Sequence, residues 1–219
     1  ATLPMGTATA EPAISFTKLW THGHTAGQVS EIPAFDRRTN TLWVAGVVGV
    51  DVLDADTGSL VEHIDVTPYG FINGVAIHNG VAALAIEAAP DRRNPGRVLF
   101  YDTKTRALSD GVSQVAVGAL PDMLTFTHDG SKLLVANEGT PNAVADAAYT
   151  PAFDPAGSVS IINMETRTVT ATADFAGVPT LGNNLRTNTG MDFEPEYIAV
   201  NEEGTQAFVT LQEANAIAV

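Results

Sequence analysis

Short apolar runs alternate with polar residues along most of the chain, and each is closed by a turn of Gly, Asn, Asp or Thr. A period of two places successive side chains on opposite faces, so these runs predict β-strands. No segment sustains the 3.6-residue period of a helix. Residues 1–13 are small, mostly uncharged and predicted as a flexible N-terminal segment, and residues 14–219 as one domain. Within it, 14–20 alternates and predicts a strand. A first unit follows with strands at 31–35, 41–45, 48–53 and 60–66. A second has strands at 73–77, 81–86 and 97–102. A third has 122–126, 132–136, 157–163 and 168–175. A fourth starts at Glu196, with strands at 197–200 and 207–211, and is cut short.

The units align with one another. Asp129-Gly130 and Glu203-Gly204 fall at equivalent tight turns, where Gly supplies a positive φ. Leu53-Asp54, Tyr101-Asp102 and Ile162-Asn163 are equivalent strand ends, each followed by a turn containing Thr. The unit starts, Glu31, Asn73, Asp122 and Glu196, are 42, 49 and 74 residues apart. The first two spacings match the roughly 40 to 50 residues of a four-stranded propeller blade. The third is stretched by turn-rich insertions at 139–156 and 176–193. The expected fold is all-β, a β-propeller of four-stranded antiparallel blades, since small sheets apolar on both faces bury themselves only by stacking radially. A sandwich is the alternative. About three and a half blades are present, an incomplete ring with an open edge. The strand at 14–20 could close it, or a second copy as a homodimer, or the chain is a fragment of a longer one.

Composition adds limits. The net charge is −14, with 16% charged and 45% apolar residues. Such a chain repels a nucleic-acid backbone and suits bound divalent cations. There are no cysteines, so no disulfide and no thiolate chemistry. No apolar run is long enough to predict a membrane span. The N-terminal residues read as a mature end left after signal removal, which predicts a secreted or periplasmic bacterial protein.

In a propeller the first strand of each blade lines the central channel, so equivalent positions face one another. Those positions carry Glu31, Asn73, Asp122 and Glu196, four oxygen donors suited to Ca²⁺ or another divalent cation. The second strands end at Glu87, Glu138 and Gln212-Glu213, expected near the opposite end of the channel. His22 and His24 lie in a loop ahead of Glu31; His24 and Glu138 are the candidate general bases. His63, His78 and His128 receive no role. P-loop, GxGxxG, HExxH and GxSxG motifs are all missing. A Ser-His-Asp triad needs no sequence proximity and stays open.

Leu120-Pro121-Asp122-Met123-Leu124-Thr125-Phe126-Thr127-His128-Asp129-Gly130, Leu134-Val135-Ala136-Asn137-Glu138-Gly139, Glu194-Pro195-Glu196-Tyr197-Ile198-Ala199-Val200 and Val209-Thr210-Leu211-Gln212-Glu213 resemble the choice-of-anchor I family. That family groups secreted bacterial β-propellers, among them atypical alkaline phosphatases and relatives with esterase-like phytase regions. The resemblance implies a secreted, Ca²⁺-dependent phosphoesterase acting on a small phosphate ester. The insertion after Gly139, acidic in the family, is nearly stripped of carboxylates here. A non-catalytic propeller with a structural ion, or a lactonase-like hydrolase, are the alternative readings.

Overall fold

The computed structural model describes residues 14–24, 29–139, 155–179, 181–182, 185 and 193–219; the segment 1–13 and most of both insertions lie outside the described residues. Every regular element among them is a strand. The first sheet is β1 (Pro33–Asp36), β2 (Thr41–Ala45), β3 (Gly49–Asp54) and β4 (Leu60–Asp65). The second is β5 (Phe71–His78), β6 (Val81–Glu87), β7 (Pro95–Asp102) and β8 (Gln114–Ala119). The third is β9 (Pro121–Phe126), β10 (Lys132–Asn137), β11 (Ser158–Asn163) and β12 (Thr168–Ala173). The fourth holds β13 (Pro195–Val200), β14 (Ala207–Leu211) and β15 (Ala216–Ala218). Each sheet is an antiparallel meander of neighbours in sequence, the organisation of a propeller blade. The fourth has three strands, so the set of blades is incomplete.

The turns repeat as the strands do. Asp54, Asp102 and Asn163 each end the third strand of a blade. The side-chain oxygen of each accepts the backbone N–H groups two and three residues on and the following Thr hydroxyl, at 2.7–3.3 Å. The expected glycines also hold: Gly130 and Gly204 have φ of 71° and 66°.

Three apolar layers separate the four sheets. Alternation on β6 shows how they arise. Ala82, Leu84 and Ile86 face Trp43, Val50 and Val52 of the first sheet. Ala83 and Ala85 face the other way, with Phe100, toward Leu133, Val135 and Ile162 of the third. Met123, Leu134 and Val159 then meet Ile198, Val209 and Leu211 of the fourth. A fully buried Phe100 or Leu133 contributes about 1.5–3 kcal/mol by leaving water. Between the innermost strands lies a central cavity of about 230 Å³, lined by Ile32, Ala34, Val75, Ile77, Met123 and Tyr197.

Two sequence expectations differ from the structure. Residues 14–20 form no strand and do not pair with the fourth sheet. Instead the Trp20 indole N–H donates to the Ala55 carbonyl at 2.9 Å, and its ring stands over Gly58 in the β3–β4 turn. Ile14 and Phe16 are 85% and 94% exposed, so the alternation there had no ladder to join. The second sheet also has an outer strand, β8, that the repeat pattern had not shown; only Val115, Val117 and Ala119 of its side chains are buried.

Candidate functional site

Glu31, Asn73, Asp122 and Glu196 stand at the starts of the four innermost strands, and each sits where its strand departs from regular pairing. On β5, Ile72 pairs with Ile86 and Gly74 with Ala85, leaving Asn73 as the extra residue. On β9, Pro121 pairs with Asn137 and Met123 with Ala136, leaving Asp122 extra. On β13 the register breaks between Pro195 and Ile198, around Glu196 and Tyr197. In the first sheet Glu31 and Ile32 both bond Ala45, at 3.0 and 2.9 Å. A bulge bends its strand and re-aims the extra side chain. The same device therefore recurs at all four positions. Leu120 and Glu194, each directly before a proline, have φ of 47° and 49°. The left-handed region is costly for a non-Gly residue, by about 1–3 kcal/mol, and concentrates at functional sites.

The second-strand carboxylates join this set rather than lying at the opposite end. Antiparallel pairing returns the end of each second strand to the start of the first: Glu87 is opposite Phe71, Asn137 opposite Pro121, and Leu211 opposite Pro195. Glu138 and Glu213 thus belong to the same mouth of the channel. The expectation had the strand directions right and assigned the wrong end.

The electrostatics agree with that placement. Burial pushes the Asp122 carboxyl up to about 7, and the charges of Glu138, Glu31 and Glu196 push the same way; Arg92 opposes them. Burial, with Glu138 and Glu213, also raises Glu196. Asn73 donates to the Pro121 carbonyl at 3.1 Å and to Glu87 at 3.4 Å, and Arg92 lies 3.3 Å from Glu87. Backbones approach closely here: a Cβ on Gly74 would stand 2.6 Å from the Asp122 carbonyl oxygen, so the β5–β9 contact requires glycine. Beside the mouth, Glu196, Tyr197, Thr210, Gln212 and Asn215 line an open cleft of about 940 Å³.

His24 makes its hydrogen bonds in a separate cluster of polar side chains. Its Nδ1 is 2.7 Å from Oδ2 of Asp51, its Nε2 meets the Ser30 hydroxyl, and the edge of the His22 ring packs on it. The second oxygen of Asp51 is 2.7 Å from His63 Nδ1. Asp51 is 1% exposed. Burial raises its pKa, but hydrogen bonds and charge from His63 and His24 outweigh that and hold it below the ordinary carboxylate value. Sequence reasoning left out Asp51, Ser30 and His63. The alternation Val50-Asp51-Val52, a carboxylate within a buried strand, was the available signal. The carboxylate-poor segment 140–154 lies outside the described residues.

Comparison with solved structures supports the fold. The hydrazine synthase of Kuenenia stuttgartiensis is similar at 13% identity and a TM-score of 0.52, over 84% of this chain and 62% of that one. The β-propeller domain of Cps50 (Swd1) from Myceliophteria thermophila is similar at 15% identity and a TM-score of 0.51, over 86% of this chain and 50% of that one. The computationally designed Ika4 protein is similar at 11% identity and a TM-score of 0.56, over 93% of this chain and 97% of that one. The chain thus spans about half to three fifths of the first two. At these identities the likeness concerns the fold alone. No curated protein matches the sequence. Among the described residues no helix is long and apolar enough to cross a membrane. The family profile of the choice-of-anchor I domain matches residues 31–219, and with that span, which takes in every strand and all four channel-mouth residues, the chain belongs to the choice-of-anchor I family.

Proposed function

We propose that this propeller is a secreted, divalent-cation-dependent phosphoester hydrolase working at the acidic mouth of its channel. The observation that carries the reading is Asp122. It is partly buried among Glu31, Glu138 and Glu196, and their charges help to hold its pKa near 7. A cluster of carboxylates that leaves one of its members half-protonated at neutral pH is short of positive charge, and Arg92 supplies only part of it. The donor set fits a hard cation: oxygens, and no imidazole or sulfur. Glu31, Asp122 and Glu196, with the Asn73 amide oxygen, would hold Ca²⁺ or a similar ion. When bound, such an ion supplies polarisation of a phosphoryl oxygen.

The chain's own groups account for the rest. Glu138, whose charge acts on Asp122 and Glu196, would take a proton from an attacking water on a carboxylate oxygen. Gln212 in the adjoining cleft offers amide N–H donors to the ester's phosphate oxygens. The family resemblance to atypical alkaline phosphatases supports the substrate class. The test is hydrolysis of a small aryl phosphate with and without EDTA. Chelation and Glu196→Gln should each lower the rate at least 100-fold. A rate indifferent to both overturns the reading.

A non-catalytic propeller with a structural ion is the second reading. The absence of a nucleophile motif favours it, and it gives a Ca²⁺-dependent rise in thermal midpoint with no turnover.

A further inference from the structure

The geometry points to a second reactive centre, a serine nucleophile at Ser30 activated by His24 and oriented by Asp51, directed at small carboxylic esters. Ser30 directly precedes Glu31 of the channel mouth, but the proposed chemistry uses none of the mouth carboxylates. The connectivity is that of a nucleophile, a base and an orienting acid. The Ser30 hydroxyl meets His24 Nε2, and His24 Nδ1 lies 2.7 Å from Oδ2 of Asp51. Such triads are recognised by these roles and not by sequence order, here His24, Ser30, Asp51. Burial follows the same logic: Asp51 is 1% exposed while Ser30 is exposed and open to a substrate. The second Asp51 oxygen is 2.7 Å from His63 Nδ1, so the carboxylate is held from both sides in the orientation His24 needs. In the chain of bonds His24 carries its proton on Nδ1 and presents a lone pair at Nε2 toward Ser30.

The step balances without a further reagent. The Ser30 Oγ–H proton passes to His24 Nε2 as Oγ bonds the ester carbonyl carbon. The carbon–oxygen bond to the leaving alcohol breaks, and the alcohol departs with the His24 proton. Water, deprotonated by His24, then releases the acid and restores Ser30. Ser30 and His24 are the catalytic groups; Asp51 and His63 are positioning residues.

His22, His24 and Asp51 also bring one ligand atom each within 4.8 Å of one another, the composition of a transition-metal site. The hydrogen bonds favour the triad: Asp51 spends both oxygens on imidazole nitrogens, and His24 Nε2 is engaged by Ser30.

The experiment is labelling of the folded full chain with a fluorophosphonate probe in EDTA, which makes it independent of any cation at the mouth, followed by peptide mapping. An adduct on Ser30, absent in Ser30→Ala and formed at least about 100-fold more slowly in His24→Ala, is the expected result. A strongly downfield imidazole N–H proton resonance should persist in Ser30→Ala and vanish in Asp51→Asn under conditions where circular dichroism shows that variant folded. An unlabelled Ser30 in folded wild-type protein overturns the proposal, as does labelling indifferent to His24→Ala. Zn²⁺ binding by the wild type that is lost in His22→Ala also overturns it and makes the cluster a metal site.

Discussion

Two aspartates at the same end of this propeller meet opposite fates. Asp51 is the more deeply buried, yet its carboxyl stays below the ordinary range. Asp122 retains some exposure, yet its carboxyl rises to about 7. Burial pushes both upward. The neighbours decide the outcome. Two imidazole N–H groups meet Asp51 at 2.7 Å, whereas Asp122 faces Glu138, Glu31 and Glu196 with only Arg92 in opposition. Asp51 is a satisfied charge that ties β3 to β4 and to the segment ahead of β1. Asp122 is a carboxyl that burial and like-charged neighbours push toward its protonated form.

Opposite signs on mutation would sharpen this contrast most. Asp51→Asn replaces an acceptor of two N–H groups by an amide and should destabilise the fold by about 2–4 kcal/mol at pH 7. Asp122→Asn should stabilise it in cation-free buffer at pH 8, by up to roughly 4 kcal/mol for a carboxyl displaced that far. Urea denaturation of both variants measures the pair. Equal signs would erase the distinction.

The pH dependence follows from the same two groups. The folded pKa of Asp122, about 7, lies above the ordinary 3.8. Its stabilising contribution is therefore complete below about 4 and is lost as pH rises through 7. Asp51 runs the other way: its contribution is present above the ordinary 3.8 and is lost as pH falls through its lower folded value. In EDTA, wild-type stability should fall between pH 5 and 8, and Asp122→Asn should flatten that slope. Denaturation across this range tests it, and an unchanged slope in the variant would remove Asp122 as its source.

Cation binding gives a smaller but more direct signal. An ion at the mouth should expel part of a proton from Asp122 near pH 7. Calorimetric titration with Ca²⁺ in buffers of different ionisation enthalpy reads that release, and Asp122→Asn should abolish it. The smallest effect belongs to His63→Gln. His63 is half-exposed and holds only one Asp51 oxygen, so about 1 kcal/mol or less is expected by thermal denaturation.

Much of this was legible in the chain. The unbroken apolar run 81–86 gave β6 because a strand buried between two layers must be apolar on both faces, and Ala82, Leu84 and Ile86 against Ala83 and Ala85 satisfy that condition. Equivalent strand starts named Glu31, Asn73, Asp122 and Glu196. The alternation at 14–20 misled because period-two spacing reports a possible face, not a partner, and Trp20 found Ala55 and Gly58 instead. Glu138 was recognised but set at the wrong end, since strand order alone does not register which ends meet.

The sequence by itself determined the strands, their grouping into blades and the oxygen-bearing residue at the head of each inner strand. Those are local properties, carried by side-chain period and turn chemistry. Only the tertiary structure decided that the strands bulge at those residues, that the returning strands add Glu87, Glu138 and Glu213 to the same mouth, and that His24, Ser30, Asp51 and His63 meet. These depend on hydrogen-bond register and on contacts between segments distant in sequence, and composition and spacing do not encode either.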